Sequence, residues 1–161
     1  LTNLDALREL TSLSELNLGG CTSLTDLDAL GGLTKLTSLD CGGCASLTDL
    51  DALGSLTNLI DLDLSRCESL RKTDGLANLT NLTDLDLAHC KFLPNVDCMT
   101  NLTNLTSLNL NSSECLDSVY DLMSLTALEW LDLRGWTTLS YPLGLIEELE
   151  EALPNCTILT D

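Results

Sequence analysis

The residues able to do chemistry in this chain are eight cysteines, one histidine and 25 carboxylates, set against seven basic side chains. Nucleophilic catalysis would need His89 as the base for a thiol such as Cys98 or Cys115. Nothing in the spacing brings these residues together. No Gly-rich phosphate loop follows a strand pattern, and no G-x-S-x-G turn is present. Paired carboxylates are abundant, but acid–base work needs them in a cleft with apolar walls that separates their pKa values. The expectation is that the chain is not an enzyme and carries no cofactor or catalytic metal.

Four cysteines, Cys21, Cys44, Cys67 and Cys90, recur every 23 residues, and Ser113 and Trp136 continue their column. Each stands just beyond a short strand pattern and points inward. A small side chain with a weak S–H donor fits there and can reach backbone carbonyls. Neighbouring rungs would lie about 5 Å apart, within disulfide range for Cα atoms. All rungs point the same way, however, so the ladder reads as reduced, structural thiols. Cys41 reads as a substitute for a core leucine, and Trp136 reads as core.

The carboxylates form columns too. Asn17, Asp40, Asp63, Asp86, Asn109 and Asp132 share one register position, and Glu15, Ser38, Asp61, Asp84, Ser107 and Trp130 share another. Both flank an inward leucine on a strand, so both face outward. Beyond the strand lie Arg66, His89 and Arg134. The middle of this face is an acidic patch of Asp40, Asp61, Asp63, Asp84 and Asp86. Carboxylates about 5 Å apart repel by roughly 0.8 kcal/mol in water, which a cationic segment laid across them would relieve. The competing reading is ordinary repeat text with solvated aspartates. Trp130 is the large aromatic of this face, either a binding anchor or packing against a C-terminal cap. The candidate partner-binding residues are therefore Glu15, Asp40, Asp61, Asp63, Arg66, Asp84, Asp86, His89, Asn109, Trp130, Asp132 and Arg134. A second acidic row, Asp5, Asp28, Asp51, Asp74 and Asp97, has the oxygens a calcium ladder would need. The preferred reading is that Asp28 and Asp51 cap short turns with their own carboxylates.

The elements that hold these columns follow from the repeat. Leu13, Leu36, Leu59, Leu82, Leu105 and Leu128 are spaced by 23, as are Leu16, Leu39, Leu62, Leu85, Leu108 and Leu131. Within a unit, L-x-L has period two, a short strand with one face inward. The following L-x-x-L-x-x-L has period three, which suits 3₁₀ or extended turns. One coil cannot bury its own leucines, but stacked coils can, with strands about 4.8 Å apart in a parallel sheet. Leu16-Asn17-Leu18-Gly19-Gly20-Cys21 and Leu85-Asp86-Leu87-Ala88-His89-Cys90 carry the L-x-L-x-x-[N/C] signature, and Leu24-Thr25-Asp26-Leu27-Asp28-Ala29-Leu30 is a short return segment. On these motifs the chain resembles the leucine-rich-repeat family, in its cysteine-containing, internalin-like form with 23-residue repeats. The resemblance implies an α/β fold: a curved, right-handed solenoid of strands and short helical returns, with the parallel sheet on its concave face. It also implies a protein-binding module or scaffold.

One domain over residues 1–161 is expected, with a partial repeat at 1–12, repeats of 23 over 13–139 and a C-terminal cap at 140–161. The return segments become less regular from Lys72 onward, where Thr73 stands in the Leu27 column. Gly144 to Leu153 reads as an amphipathic capping helix stopped by Pro154-Asn155, and Thr157-Ile158-Leu159 reads as a last strand. The first ten residues fill only the latter half of a unit, so the N-terminal face is expected to stack on another chain or on further repeats. The net charge of −18 disfavours nucleic acid and anionic lipid and favours a basic protein partner. No stretch is long enough to insert in a membrane. Cysteines without cap clusters point to the cytoplasm, while the sequons at Asn78, Asn81, Asn101, Asn104, Asn111 and Asn155 point to secretion or the cell surface.

Overall fold

In the computed structural model, residues 3–93, 95–113, 119–135 and 144–161 are described. Seven three-residue strands lie in chain order in a single parallel sheet: β1 (Glu15–Asn17), β2 (Ser38–Asp40), β3 (Asp61–Asp63), β4 (Asp84–Asp86), β5 (Ser107–Asn109), β6 (Trp130–Asp132) and β7 (Thr157–Leu159). Between β1 and β6 each residue pairs with the one 23 positions on, so Leu16, Leu39, Leu62, Leu85, Leu108 and Leu131 form a continuous inward row. This is the solenoid that the repeat predicts. The inner coils bury their described leucines against the coils before and after them. Leu30, Leu53, Leu76, Leu33, Leu56 and Leu79 are fully buried although no single coil could enclose them.

The period of three has a direct backbone cause. In the second coil, the N–H of Leu30 donates to the Leu27 carbonyl, Leu33 to Leu30 and Leu36 to Leu33, at 2.8 to 3.0 Å. Each inward leucine thus begins a turn that ends at the next. Short 3₁₀ helices sit on this run at Asp5–Leu7, Asp28–Leu30, Asp51–Ser55, Asp74–Leu76, Asp97–Asn101 and Tyr120–Ser124. Their tight turn keeps every third side chain on one side of the chain.

Outward polar residues tie coil to coil. Asn58, Asn81 and Asn104 each donate their side-chain amide to a carbonyl of the preceding coil, that of Thr34, Thr57 and Thr80, at 2.8 Å. Two of the four Asn-Leu-Thr sites, at Asn81 and Asn104, therefore have a structural use. At Asn81 and Asn104 the nitrogen that a glycan would take is already used in this way.

The irregularity from Lys72 onward is local. Thr73, in place of the larger leucine, is buried and accepts the Cys98 thiol at 3.2 Å. Gly75 stands where Ala29 and Ala52 stand in earlier coils, and a Cβ there would lie 1.8 Å from the Leu50 carbonyl oxygen. These two coils approach more closely than an alanine permits.

Helix α1 (Leu145–Ala152) covers the C-terminal end, burying Leu145 and Leu149, and β7 closes the sheet. The capping helix and last strand thus stand where the sequence puts them. At the opposite end Leu13 and Leu16 are only half-buried and Leu10 is 45% exposed, whereas Leu33, Leu36 and Leu39 in the next coil are closed off. Trp136, Cys115, Leu116, Leu139 and Pro142 lie outside the described residues, as does the start of the expected cap.

Candidate partner-binding face

The thiol column is built as its spacing implies. Cys44 donates its S–H to the Leu18 carbonyl at 3.4 Å, Cys67 to Cys41 at 3.3 Å and Cys90 to Leu64 at 3.2 Å, while the Ser113 hydroxyl takes the same place at 3.2 Å from the Leu87 carbonyl. Each rung links one coil to the coil before it. Burial pushes the Cys67 thiol up and the Cys90 thiol up to about 12, so both keep the proton they donate. Cys21, Cys41, Cys44, Cys67, Cys90, Cys98 and Cys156 are all free thiols.

The open face of the sheet is where most of the candidate side chains stand, and its two acidic columns differ. Asp63 accepts the Ser65 N–H at 2.7 Å, and Asp40 and Asp86 accept those of Gly42 and Ala88 at 2.8 Å. Asn17, Asn109 and Asp132 do the same for Gly19, Asn111 and Arg134. This column is a ladder of Asx turns, each turning the chain out of its strand. The Asn17 and Asn109 amides donate sideways to the outer oxygens of Asp40, at 2.7 Å, and Asp86, at 3.0 Å. Two asparagines thus bracket three adjacent carboxylates, and Asp63 has a carboxylate on either side. Asp86 is raised above the usual carboxylate range, mainly by burial, against the lowering effect of the Ala88 and Asn109 hydrogen bonds.

The other column stands more open to solvent. Asp61 and Asp84 are exposed and sit in register on β3 and β4. Asp61 takes a long hydrogen bond from the Ser38 hydroxyl, 3.3 Å, and Asp84 a shorter one from Thr83, 2.6 Å. Half-buried Trp130 stands in the same column two strands on, on the open face. Between them is a hollow of about 290 Å³ lined by Asp61, Asp63, Asp84, Leu85, Asp86, Ser107, Asn109 and Trp130. No basic side chain lines it.

The remaining candidates lie elsewhere. Glu15 is exposed on β1, and Asp40 is half-buried on β2. Asp132 is 2% exposed and holds Arg134 in a close ion pair at 2.6 Å. Burial alone would raise Asp132, but the Arg134 guanidinium and backbone N–H prevail and lower it. Arg66 and His89 stand in the turns just past the strands, in the left-handed conformation with φ of 59° and 60°. The equivalent positions Gly20, Gly43 and Gly135 are glycine, and their N–H groups and those of Arg66 and His89 extend the hydrogen-bonded ladder between coils where partners are present.

Two features escape a reading by column spacing alone. The Asx turns were signalled by an Asn or Asp at every rung of one column, two residues before the donor. Cys41-Gly42-Gly43-Cys44 is a C-x-x-C pair, hidden when Cys41 is taken only as a leucine substitute. A third expectation is corrected: Asp28 and Asp51 do not cap their own turns. Their N–H groups are received by Asp26 at 3.3 Å and Asp49 at 3.4 Å, and that of Asp5 by Asn3 at 2.6 Å, two residues earlier in each case.

Comparison with known proteins fits this architecture. The family profile described as Leucine Rich repeats (2 copies) matches residues 11–55. No curated protein sequence matches significantly. Among solved structures, internalin C2 of Listeria monocytogenes is 27% identical with a TM-score of 0.78, over 99% of this chain and 66% of that one. The leucine-rich-repeat domain of the type III effector XopL is 30% identical with a TM-score of 0.77, over 99% of this chain and 56% of that one. A leucine-rich-repeat protein of Leptospira interrogans, 20% identical with a TM-score of 0.56 over 98% of this chain and 51% of that one, shares the fold. The chain thus spans about half to two thirds of the length of these structures.

Proposed function

Since this chain is an internalin-like member of the leucine-rich-repeat family, we propose that it is a protein-interaction module whose acidic sheet face takes a cationic segment of a partner protein. The observation that carries this reading is the hollow over β3 to β6. It sets Asp61, Asp63, Asp84 and Asp86 beside the indole of Trp130, with no cation in its lining. Lysine and arginine side chains combine an apolar stem, which packs on an indole, with a charge that relieves carboxylate repulsion. Asp61 and Asp84 supply the contact, while Asp63 and Asp86 are held in place by their turns. Arg66 and His89 stand beyond the strand ends, where they border the patch and favour a partner of limited length.

The reading also sets the protein in a reducing compartment, because the thiol ladder works only while its sulfurs keep their protons. A second reading, a scaffold subunit that stacks through its N-terminal face, is favoured by the half-open Leu13 and Leu16 and exposed Leu10. As a recruiting segment of a larger protein, the module would use the same sheet face.

The test is a titration with an oligo-lysine peptide, followed by tryptophan fluorescence at low and physiological salt. Asp61→Asn with Asp84→Asn is expected to weaken binding at least about tenfold and flatten its salt dependence, with the fold retained by circular dichroism. Unchanged affinity in the double variant would discard the acidic face as the binding surface.

A further inference from the structure

We propose that Cys41 and Cys44 form a thiol–disulfide exchange site, a dithiol that a low-molecular-weight disulfide converts to an intramolecular bond within one turn of the solenoid. The second coil is the one among the described coils with two thiols at this turn. The corresponding pairs are Leu18 with Cys21, Leu64 with Cys67, Leu87 with Cys90 and Leu110 with Ser113. At a fully buried position Cys41 fills less apolar volume than its leucine counterparts. Its position next to a ladder thiol is what sets it apart.

The backbone already holds the two residues at bridging distance. The Cys44 N–H donates to the Cys41 carbonyl at 3.1 Å, closing a four-residue turn over Gly42 and Gly43, and Gly43 has φ of +74°. Such a turn brings its end Cα atoms within about 7 Å, and a disulfide accepts about 4.4–6.8 Å. Rungs of the ladder, by contrast, point in parallel, each at a carbonyl of the preceding coil. Cys41 and Cys44 instead belong to one turn of one coil, three residues apart and both fully buried in the core. The Cys41 thiol in the same turn lowers the pKa of Cys44, whereas burial raises Cys67 and Cys90. Either thiol can open the exchange; with Cys44 attacking first, Cys41 resolves.

The exchange balances in two steps. Cys44 releases its proton to solvent, and the thiolate attacks one sulfur of the oxidant, forming a mixed disulfide and expelling a thiolate. Cys41 then loses its proton and attacks the Cys44 sulfur. The protein S–S bond forms, the mixed disulfide breaks, and the second thiolate leaves. The protein gives up two electrons and two protons, and the oxidant becomes two thiols. Both sulfurs are buried, so the reaction runs through local opening of the coil and is slower than at an exposed thiol. Oxidation also removes the proton that Cys44 gives to the Leu18 carbonyl, so the first two coils lose that rung.

The folded protein is incubated with oxidised glutathione, quenched in acid, unfolded and alkylated, then read by intact mass and peptide mapping. The expected product has lost two hydrogens, carries a Cys41–Cys44 bond and leaves Cys67 and Cys90 fully alkylated. The Cys41→Leu variant, which restores the column's usual residue and so the fold, is expected to lose the bond completely. The assignment is overturned if Cys44 bridges to Cys21 or Cys67, or if glutathione stays on Cys44 without resolution. It is equally overturned if the folded chain forms no bond under conditions that oxidise the same chain in urea.

Discussion

At the scale of the residue, the aspartates of the open face are not equivalent, and substitutions should separate them. Asp63 keeps one oxygen on the Ser65 N–H and has Asp40 and Asp86 on either side. Asparagine preserves the turn through its carbonyl and replaces a repelling charge by an amide donor. Asp63→Asn is therefore expected to stabilise the fold by about 0.5–1 kcal/mol in urea denaturation at neutral pH. Asp86 makes the pH dependence explicit. Its pKa is raised in the folded chain, so the charged form is disfavoured there relative to the unfolded chain. That penalty is complete above the folded pKa and vanishes as pH falls through it to the unfolded value. The stability gain of Asp86→Asn over the wild type should thus be largest at neutral pH and shrink in acid; a gain that grew in acid would contradict this account. Arg66 offers a backbone test. A non-glycine residue at φ of 59° carries left-handed strain of about 1–2 kcal/mol, partly offset by glycine's greater freedom when unfolded. Arg66→Gly is expected to raise the melting temperature slightly.

Strands, turns and returns do different work at the scale of the element. The three-residue strands hold the sheet face in register, and the 3₁₀ runs carry the leucines inward. Where a coil departs from the common text, its neighbour adapts. Thr73 finds a partner in Cys98, and Gly75 makes room for the Leu50 carbonyl. Gly75→Ala, although it restores the residue found in earlier coils, must push a Cβ into backbone that cannot rotate away. A loss of at least ~2 kcal/mol is expected in chemical denaturation. The equivalent Ala52→Gly should cost far less, since it removes only a methyl group. The period of two was enough to place Asp61, Asp84 and Trp130 outward. It could not show that Asp63, Asp86 and Asp132 are tied to their own turns, because that depends on where a backbone N–H two residues on is aimed. Nor does a column of spacings single out Cys41 and Cys44 as two thiols of one turn, since leucine and cysteine read alike as inward residues.

For the whole molecule, charge and stacking oppose each other. A net charge of −18 repels itself throughout a narrow stack, and among the described residues three ion pairs are formed, two of them exposed. Such exposed pairs contribute little, whereas screening of the general repulsion acts on every coil. Sodium chloride is therefore expected to raise the melting temperature while weakening oligo-lysine binding. Opposite responses to one variable distinguish a surface kept acidic for recognition from one in which attraction between opposite charges holds the fold. No helix among the described residues is long and apolar enough to cross a membrane.

Periodicity by itself determined the solenoid, the parallel sheet, the inward thiol ladder and the closing helix, because a 23-residue coil leaves its leucines exposed unless an in-register neighbour covers them. The tertiary structure alone decided which acidic side chains stay exposed and which are spent on turning the chain. Those outcomes depend on the aim of individual donors and acceptors across adjacent coils, a geometry that identical spacing leaves open.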